Sequence, residues 1–322
     1  MNYDVVALGE LLIDFTPNGL SEQGNPVFEA NPGGAPCNVL SMLTRLGHKT
    51  AFIGKVGSDM FGRQLCDAIT ECGISAEGLR FDPEVNTTLA FVHKLPNGDR
   101  DFSFYRKPGA DMMLLADEVS EELIAQTRIF HFGTLSMTHP DVAAATRRAI
   151  EYAEKHGALR SFDPNLREPL WNNLEDAKKA VRYGLAHCDI LKISDNEIQW
   201  LTGETDFTAG VEALRREFDI PLILVSMGPD GSRAYTKDLM IEVPACLNPN
   251  TIETTGAGDT FCACVLHDVL ENGLEFFTAE RLTSMLSLAN AAASIVTTRR
   301  GALRVMPTRE EISAYMNPCH HA

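Results

Sequence analysis

A turn of small residues, Gly256, Ala257 and Gly258, leads into an apolar helix pattern late in the chain. Small residues let the backbone approach a ligand closely. The pattern predicts a helix over 261–270, and the N–H groups and dipole at a helix start favour an anion. Asp259 stands at this helix entrance and has two interpretations. It is an N-cap, or it is a general base beside an anion hole, as phosphoryl transfer from a nucleotide to a hydroxyl group requires.

Other common sites for phosphate binding and hydrolysis are absent from the sequence. There is no G-x-x-x-x-G-K-[ST] motif, so a P-loop is not predicted. There is also no H-E-x-x-H motif and no G-x-S-x-G nucleophile elbow. The turn at 256–258 is therefore the strongest candidate for an anion site.

The acidic composition limits the partners of the chain. Its 322 residues carry 28 Lys and Arg against 44 Asp and Glu, a formal net charge of −16. Such a surface repels phosphate backbones and anionic lipids, so we expect no nucleic acid or membrane partner. No apolar run reaches the length of about 18 residues that a membrane span needs. A nucleotide site would need backbone amides, a few Arg or Lys side chains and a divalent cation.

The amino terminus and the cysteines favour a cytoplasmic location. The first nine residues predict a strand, and they lack the basic segment and cleavage site of a signal peptide. The eight cysteines include no C-x-x-C pair, so we expect most of them to be reduced and buried.

Short apolar runs alternate with helix-length segments along most of the chain. The predicted strands are 5–8, 51–54, 129–132, 158–162, 190–193 and 222–225. The predicted helices are 35–46, 64–72, 261–270, 279–296 and 309–315. This order predicts an α/β fold, a three-layer αβα sandwich with a mostly parallel central sheet.

Two stretches, 14–31 and 88–107, break this alternation. The first is rich in Pro, Asn and Gly, and the second alternates apolar and polar residues around a Pro-Asn-Gly-Asp turn at 96–99. Both are either plain surface hairpins or the strands of a lid over a site at the carboxyl edge of the sheet, where open α/β sheets bind ligands. We expect a single domain, residues 1–322, with these strands inserted.

Three segments form an ordered set of motifs. They are 33–38 (Gly-Gly-Ala-Pro-Cys-Asn), 54–62 (Gly-Lys-Val-Gly-Ser-Asp-Met-Phe-Gly) and 255–261 (Thr-Gly-Ala-Gly-Asp-Thr-Phe). Together they resemble the amino- and carboxy-terminal signatures of the ribokinase/phosphofructokinase-B (PfkB) family of sugar kinases. The resemblance covers nearly the whole chain. It implies a ribokinase-like fold, the use of ATP and Mg²⁺, and transfer of the γ-phosphoryl group to a sugar hydroxyl.

The resemblance implies catalytic roles at the start of the late helix. Asp259 matches the base that accepts the proton of the attacked hydroxyl group. Gly256, Ala257 and Gly258 match the anion hole that stabilises charge on the transferring phosphoryl oxygens.

The resemblance also implies sugar contacts in the amino-terminal half. Asp14, Gly34 and Asn38 match positions that hydrogen-bond sugar hydroxyl groups, with Gly33 in the same motif. A carboxylate and an amide suit a neutral polyol, because each can hold a vicinal hydroxyl pair. An acidic hairpin residue and a helix start are the plain structural alternatives.

On the nucleotide side, the segment from Ser226 to Gly231, with Gly228 between them, resembles the family's Thr-x-Gly-x-x-Gly phosphate and ribose loop. Ser226 replaces the usual Thr and keeps the hydroxyl. The resemblance also assigns nucleotide contacts to Gly258 and to Asn290, for which helix packing is the alternative.

Metal ions are implied at two positions. Segment 194–197 aligns with the family's Asn-x-x-Glu motif for Mg²⁺ and phosphate, with Ser194 in place of Asn and Glu197 retained. Mg²⁺ there would be held mainly through waters and nucleotide phosphates. Glu253 stands where many members have the Asp of a monovalent-cation site, and Val305 aligns with its Ser. A K⁺ site and a purely structural role for Glu253 are both open.

Three further residues bear on the identity of the sugar. The aromatic-aromatic-Arg motif with Phe104 and Arg106, and the Asp-Pro-Asn-Leu-Arg motif ending at Arg167, look most like those of bacterial fructokinases. We expect Arg106 to reach in from the lid and Arg167 to face substrate or phosphate. Related 2-keto-3-deoxygluconate kinases share similar patterns, and both arginines would serve their carboxylate equally well.

These observations predict an ATP-dependent sugar kinase that phosphorylates the 6-hydroxyl group of D-fructose. A 2-keto-3-deoxygluconate kinase is the alternative within the family. A non-catalytic, sugar-binding regulatory protein is the alternative outside enzymes. The resemblance further implies a homodimer formed through the lid strands.

Overall fold

In a computed structural model of the chain, the described residues, 2–94 and 100–319, form two β-sheets. The larger sheet contains β1 (Tyr3–Leu8), β4 (Thr50–Gly57), β5 (Ile74–Asp82), β8 (Thr127–Gly133), β9 (Leu159–Asp163), β10 (Ile190–Ser194), β11 (Leu222–Ser226), β12 (Ser232–Tyr235) and β13 (Met240–Val243). The smaller contains β2 (Leu12–Leu20), β3 (Pro26–Gly33), β6 (Leu89–Lys94) and β7 (Arg100–Tyr105).

The larger sheet is mostly parallel. Its spatial order is β13-β12-β11-β10-β9-β8-β1-β4-β5, and every neighbouring pair from β11 to β5 is parallel. Near one edge, β12 pairs antiparallel with both of its neighbours, β11 and β13. The carboxyl ends of seven strands therefore lie along one edge of the sheet.

Ten α-helices in the described part of the chain cover both faces of this sheet. They are α1 (Ala35–Arg45), α2 (Met60–Glu71), α3 (Glu121–Ala125), α4 (Pro140–Lys155), α5 (Leu174–Ala186), α6 (Asp195–Thr202), α7 (Phe207–Arg215), α8 (Ala257–Asn272), α9 (Ala279–Val296) and α10 (Arg309–Cys319). No described helix is long and apolar enough to cross a membrane.

The alternation of side chains along the strands separates two hydrophobic cores. In β1, Val5 and Ala7 pack with α1, α2, α8, α9 and α10, whereas Val6 and Leu8 pack with the helices from α3 to α7. Successive strand residues point to opposite faces, so a sheet buried on both sides gives continuous apolar runs. The predicted three-layer αβα architecture is confirmed.

The two stretches that break the alternation form the smaller sheet, named here the small sheet. β2 and β3 pair antiparallel, as do β6 and β7, and β2 joins the two hairpins by running parallel to β6. The predicted turn at 96–99 lies outside the described residues.

The boundaries of several elements differ from the prediction for local reasons. Helix α2 begins at Met60 rather than near 64, because the Asp59 carboxylate caps it by accepting a hydrogen bond from Gly62 N at 2.8 Å. Helix α8 begins at Ala257 rather than 261. The prediction placed its start too late because its first turn consists of small residues that show no apolar periodicity. Strands β5, β12 and β13 were not predicted. β5 and β13 are the two edge strands, where fewer residues are buried, and β12, next to β13, is only four residues long.

Candidate active site

A cavity of about 540 Å³ lies at the carboxyl edge of the larger sheet, next to the small sheet. Its walls come from the segments that follow β1, β8 and β9, from the starts of α1 and α8, and from β2 and β7. Its volume suits a small ligand. The predicted residues that line it are Asp14, Gly34, Asn38, Phe104, Arg167, Glu253, Gly256, Gly258 and Asp259.

Asn38 and Asp259 meet inside this cavity. The Asn38 side chain on α1 donates a hydrogen bond from Nδ2 to Oδ2 of Asp259 on α8, at 2.8 Å. Asn38 is buried, and its Oδ1 has no hydrogen-bond partner among the described residues. Burial raises the pKa of Asp259, an effect that the Asn38 hydrogen bond and the positive charges of Lys192 and Arg167 oppose. The carboxylate is therefore oriented and more basic than an exposed one.

The start of α8 presents backbone donors beside Asp259. Gly256 has a φ of 78°, and a Cβ there would lie 2.7 Å from Cβ of Ala302, so this turn requires glycine. Gly258 and Asp259 lie in the first turn of α8, where backbone N–H groups have no partner within the helix, whereas Ala257 N donates to the Thr254 carbonyl at 3.2 Å. The structure thus leaves an anion-binding helix start, in which Gly258 and Asp259 carry the open donors.

A buried ion pair between Lys192 and Asp163, which the sequence analysis missed, packs next to this turn. Lys192 Nζ on β10 lies 3.1 Å from Oδ2 of Asp163 at the end of β9. A Cβ on Gly258 would lie 3.2 Å from the same Nζ. Burial acts to lower the pKa of Lys192, but the carboxylates of Asp163, Glu197 and Asp259 outweigh it and raise the pKa above its ordinary value. The ammonium group is therefore charged.

The position of Lys192 in the sequence could have identified it as a site residue. It is the one charged residue in the apolar run of β10, and a buried charge needs a partner or a ligand. Asp163 also receives a hydrogen bond from Asn165 N at 3.2 Å, which fixes the loop that leads to Arg167. Burial raises the pKa of Asp163 to about 6, although the Lys192 ammonium opposes the shift.

The small sheet and the segment after it supply the sugar-side residues. Enclosure raises the pKa of Asp14 to about 7, with Arg167 opposing the shift and Glu253 and Asp259 adding to it. A Cβ at Gly33 would overlap the Asp14 carboxylate, so Gly33 makes room for that side chain instead of lining the cavity itself.

Glu10 is a second cavity residue to which the sequence analysis gave no role. Its Oε1 accepts a hydrogen bond from Ala35 N at 2.9 Å, at the first turn of α1. Gly34 has a φ of 132°, and a Cβ there would overlap the Glu10 carbonyl oxygen. Burial raises the pKa of Glu10 to about 7, against the hydrogen bonds that it accepts. These contacts fix the start of the helix that carries Asn38.

Phe104 lines the cavity, but the structure does not bring Arg106 into it. The Arg106 guanidinium is buried and donates to Asp111 Oδ2 from Nε at 2.8 Å. It also donates to Thr138 Oγ1 at 2.7 Å and to the Leu135 carbonyl at 3.0 Å. Leu135 lines the cavity, so Arg106 acts on the site through the wall it supports.

The predicted nucleotide residues lie along the same sheet edge, beside the cavity. Ser194 and Ser226 are direct neighbours at the carboxyl ends of β10 and β11. The turn that follows contains Gly228 with a φ of 55° and Gly231 with a φ of 105°. A Cβ on Gly231 would overlap the Val243 carbonyl oxygen, so the loop depends on glycine at this position.

Ser194 and Glu197 are engaged with each other at the start of α6. Glu197 Oε2 accepts hydrogen bonds from the backbone N and the Oγ of Ser194, both at 2.8 Å, which forms a capping box. Its Oε1 accepts a hydrogen bond from Leu166 N at 2.7 Å. Glu197 therefore joins two loops of the sheet edge, with lone pairs left for water.

Asn290 makes hydrogen bonds within the protein. Its Oδ1 accepts from Ser232 Oγ at 2.9 Å, and its Nδ2 donates to the carbonyl groups of Val243 and Pro244 at 3.2 and 3.1 Å. These contacts fasten α9 to the strands that flank the Gly231 turn.

Glu253 lines the cavity and also supports a neighbouring loop. Its Oε1 accepts a hydrogen bond from Gly301 N at 2.7 Å. Gly301 has a φ of 79°. This contact gives Glu253 a structural task whether or not a cation binds beside it.

The chain matches the model of one known protein family over most of its length. The family described as pfkB family carbohydrate kinase matches residues 2–309.

Curated relatives match over almost their full length. Probable fructokinase-2 of Arabidopsis thaliana is 39% identical over 314 residues, which cover 97% of this chain and 95% of the relative. Fructokinase-1 of Zea mays is 39% identical over 310 residues, which cover 96% of each chain.

Solved structures share the fold and carry the expected ligands. A fructokinase with bound ATP from Xylella fastidiosa has a TM-score of 0.89 and 31% identity, covering 99% of this chain and 100% of that one. A fructokinase from Vibrio cholerae O395 in a fructose, ADP and calcium ion bound form has a TM-score of 0.87 and 28% identity, covering 98% of this chain and 100% of that one.

Proposed function

Because the chain belongs to the pfkB family of carbohydrate kinases, we propose that it transfers the γ-phosphoryl group of ATP to the 6-hydroxyl group of D-fructose. The observation that carries the proposal is the hydrogen bond between Asn38 and Asp259 in a cavity beside the open start of α8. The names of relatives that are 39% identical along nearly the whole chain support fructose as the sugar.

Asp259 acts as the general base. Asn38 orients its carboxylate by donating a hydrogen bond to Oδ2 at 2.8 Å. The fructose 6-hydroxyl gives its proton to the Asp259 carboxylate while its oxygen bonds to the γ-phosphorus. The bond between that phosphorus and the β–γ bridging oxygen breaks, and ADP leaves.

Two positive features stabilise the transferring group. The N–H groups of Gly258 and Asp259 and the dipole of α8 receive charge on the phosphoryl oxygens. The Lys192 ammonium lies against the same turn, where it contacts the γ-phosphoryl group. Asp163 holds Lys192 in place and keeps its charge balanced before ATP binds.

The residues at the ends of β10 and β11 fit a nucleotide and its metal ion. The Gly228 and Gly231 turn offers backbone to the phosphates and ribose, and Asn290 fixes that turn from behind. Both carboxylate oxygens of Glu197 accept hydrogen bonds within the protein, and their remaining lone pairs are left for water. This arrangement suits a Mg²⁺ ion that is held mainly by phosphates and waters. When bound, Mg²⁺ neutralises charge on the β- and γ-phosphate oxygens.

The contacts of the two arginines favour a neutral sugar over a keto-acid. Arg106 is committed to Asp111, so Arg167 is left to face the cavity. The positive charge of Arg167 acts on the carboxyl groups of both Asp14 and Asp259 and opposes the rise of their pKa values. A substrate carboxylate would have to share Arg167 with both of them.

For Glu253 we propose a structural role through Gly301 rather than dependence on K⁺. Activity in KCl equal to that in choline chloride supports this, and strong activation by K⁺ would contradict it.

We also propose the homodimer through the small sheet. Large apolar side chains exposed on it are Leu20, Val27, Phe28 and Tyr105. Sedimentation at micromolar concentration should give a dimer that Phe28→Ser dissociates, whereas Phe276→Ser, at an exposed apolar residue elsewhere, leaves it intact. A monomeric wild type would exclude a stable dimer.

We propose a cytoplasmic location as well. In the described part of the chain, seven cysteines are free thiols and none is in a disulfide, as a reducing compartment favours.

A coupled ADP-release assay with ATP and Mg²⁺ tests the activity. D-Fructose, 2-keto-3-deoxygluconate and ribose are compared at equal concentration. Fructose-dependent release is the expected result. Preference for the keto-acid would keep the chemistry but assign Arg167 to a carboxylate, and silence with every sugar would contradict the proposal.

A further inference from the structure

Two histidine rings meet at the opposite edge of the larger sheet, away from the cavity. His48 lies just before β4, and His267 lies on α8. Nε2 of His48 and Nδ1 of His267 are 2.7 Å apart. Glu271 follows one turn after His267 on the same helix, and one donor atom from each of the three residues lies within 4.8 Å of the others.

The types and spacing of these three residues match those of a transition-metal site. Imidazole nitrogen and carboxylate oxygen are common zinc ligands, and positions i and i+4 of a helix place two ligands on one face. Tetrahedral Zn²⁺ with bonds of about 2.0–2.1 Å needs its ligand nitrogens about 3.3 Å apart. The two ring nitrogens therefore have to separate by about 0.6 Å, from 2.7 to about 3.3 Å. Glu271 is exposed, which leaves a path for an ion to enter.

A carboxylate stands behind the first histidine, as in many metal sites. Oδ2 of Asp4 lies 3.7 Å from Nδ1 of His48, on the side of the ring that faces away from His267. Asp4 is itself fixed, because its Oδ2 accepts from Lys49 N at 2.9 Å and its Oδ1 from Arg128 at 3.2 Å. At this distance Asp4 does not accept a hydrogen bond from His48, but it adds negative charge behind the ring, which favours a cation bound at Nε2.

Two arginines near the cluster limit the affinity. Arg128 and Arg309 contribute positive charge at the histidines. Arg128 is paired with Asp4, and Arg309 donates to the Leu46 carbonyl at 3.1 Å, so neither is bound to the three ligands. A site with one carboxylate and two arginines nearby should bind less tightly than a dedicated structural zinc site.

We propose that His48, His267 and Glu271 bind one divalent transition-metal ion of the zinc class, with water completing the coordination. The ion joins the segment before β4 to α8, the helix whose other end carries Asp259. The site is separate from the kinase cavity and does not depend on the proposed function. Its expected effect is on stability rather than on phosphoryl transfer.

Metal titration of the chelator-treated full chain tests this proposal. Isothermal calorimetry with Zn²⁺, and absorption spectroscopy with Co²⁺, should show one equivalent bound with histidine coordination. Zn²⁺ should also raise the melting temperature, because it binds the folded chain. His267→Gln should weaken binding at least tenfold and abolish the shift in melting temperature, and Glu271→Gln, at an exposed position, should weaken it less.

Two controls separate this site from other metal-binding groups. His187→Gln removes a histidine paired with Glu154 on another helix and should leave binding unchanged. The sequence also contains Cys319, His320 and His321 near its end, which could bind metal by themselves. Loss of binding on replacing His320 and His321 together, with no effect of His267→Gln, would overturn the proposal, as would the absence of stoichiometric binding to the wild type.

Discussion

The residues proposed to bind the sugar and those proposed to bind the nucleotide differ in whether their polar side chains are engaged within the protein. On the sugar side, Asn38 Oδ1 has no partner among the described residues, and Asp14 and Asp259 face the cavity with raised pKa values. On the nucleotide side, the polar side chains of Glu197 and Asn290 are engaged in hydrogen bonds within the protein. We therefore propose that side chains recognise and activate the sugar, whereas the nucleotide is bound mainly by backbone groups that the Glu197 and Asn290 side chains hold in position.

This difference predicts that substitutions on the two sides impair the enzyme in different ways. A change on the sugar side should reduce catalysis or sugar affinity in a folded protein. A change on the nucleotide side should act mainly through the local structure. Four substitutions, taken from the largest expected effect to the smallest, test this contrast.

Asp259→Asn should lower kcat by about 10³–10⁴-fold, because the amide cannot accept the hydroxyl proton. The fold should survive, since Asn has the same shape and the N-cap of α8 is Gly256 rather than this side chain. Single-turnover ADP release measures the rate, and fructose binding by calorimetry serves as the control. Near-normal turnover would remove Asp259 from the role of base.

Lys192→Met should lower kcat by about 10²–10³-fold if the ammonium stabilises the phosphoryl group. Stability should also fall, because Asp163 is left buried without its partner. The double variant Lys192→Met, Asp163→Asn separates the two effects, since it removes the unpaired charge.

In that double variant we expect the melting temperature to recover and kcat to remain low. Recovery of both would mean that Lys192 has a structural role alone.

Asp14→Asn should raise the KM for fructose by about 10- to 100-fold, the cost of losing hydrogen bonds to a charged group. It should also change the pH dependence of stability. The pKa of Asp14 is raised from 3.8 to about 7 on folding, so the folded chain binds more protons between these values and loses stability as pH rises through them.

The variant should therefore be more stable than the wild type at pH 8 and lose that advantage by pH 4. Thermal unfolding at the two pH values measures this, with Asp206→Asn at an exposed helix cap as the control. A constant difference in melting temperature would contradict the assignment.

Asn290→Ala should have the smallest effect on chemistry. It leaves Ser232 and the Val243 carbonyl without their partner, so stability should fall by about 1–3 kcal/mol. The KM for ATP should rise a few-fold through the loosened Gly231 turn, while kcat and the KM for fructose stay unchanged. Ser232→Ala should reproduce part of the loss of stability. A large rise in the KM for ATP without loss of stability would indicate direct contact with the nucleotide.

The fold class and the proposed catalytic start of α8 could be predicted from the sequence because both depend on residues that are close together in the chain. Continuous apolar runs separated by helix-length segments indicate a parallel sheet buried on both faces. The Gly256–Gly258 turn and Asp259 are adjacent in the chain, so a short motif contains the whole feature. The edge strands β5 and β13 were not predicted because partial burial weakens the apolar signal, and β12 was not predicted because it is only four residues long.

Contacts between distant segments could not be predicted in the same way. Asn38 and Asp259 are 221 residues apart, and only the packing of α1 on α8 makes them hydrogen-bond partners. The sequence offered Arg106 as a substrate contact, but Asp111 lies five residues further on and binds it in the wall instead. The apolar neighbours of Lys192 in its strand indicated that it is buried. They did not indicate that Asp163, on another strand, is the acid that pairs with it.

By itself, the sequence determined the elements, the acidic surface and the motifs that identify the family, because these depend on residue type and short spacing. The tertiary structure alone decided which polar atoms remain open to a ligand. An Asn, Glu or Arg has the same donors and acceptors wherever it stands. Its role depends on whether neighbours from other segments satisfy those atoms, as they do for Asn290 and Arg106, or leave one unpaired, as for Asn38.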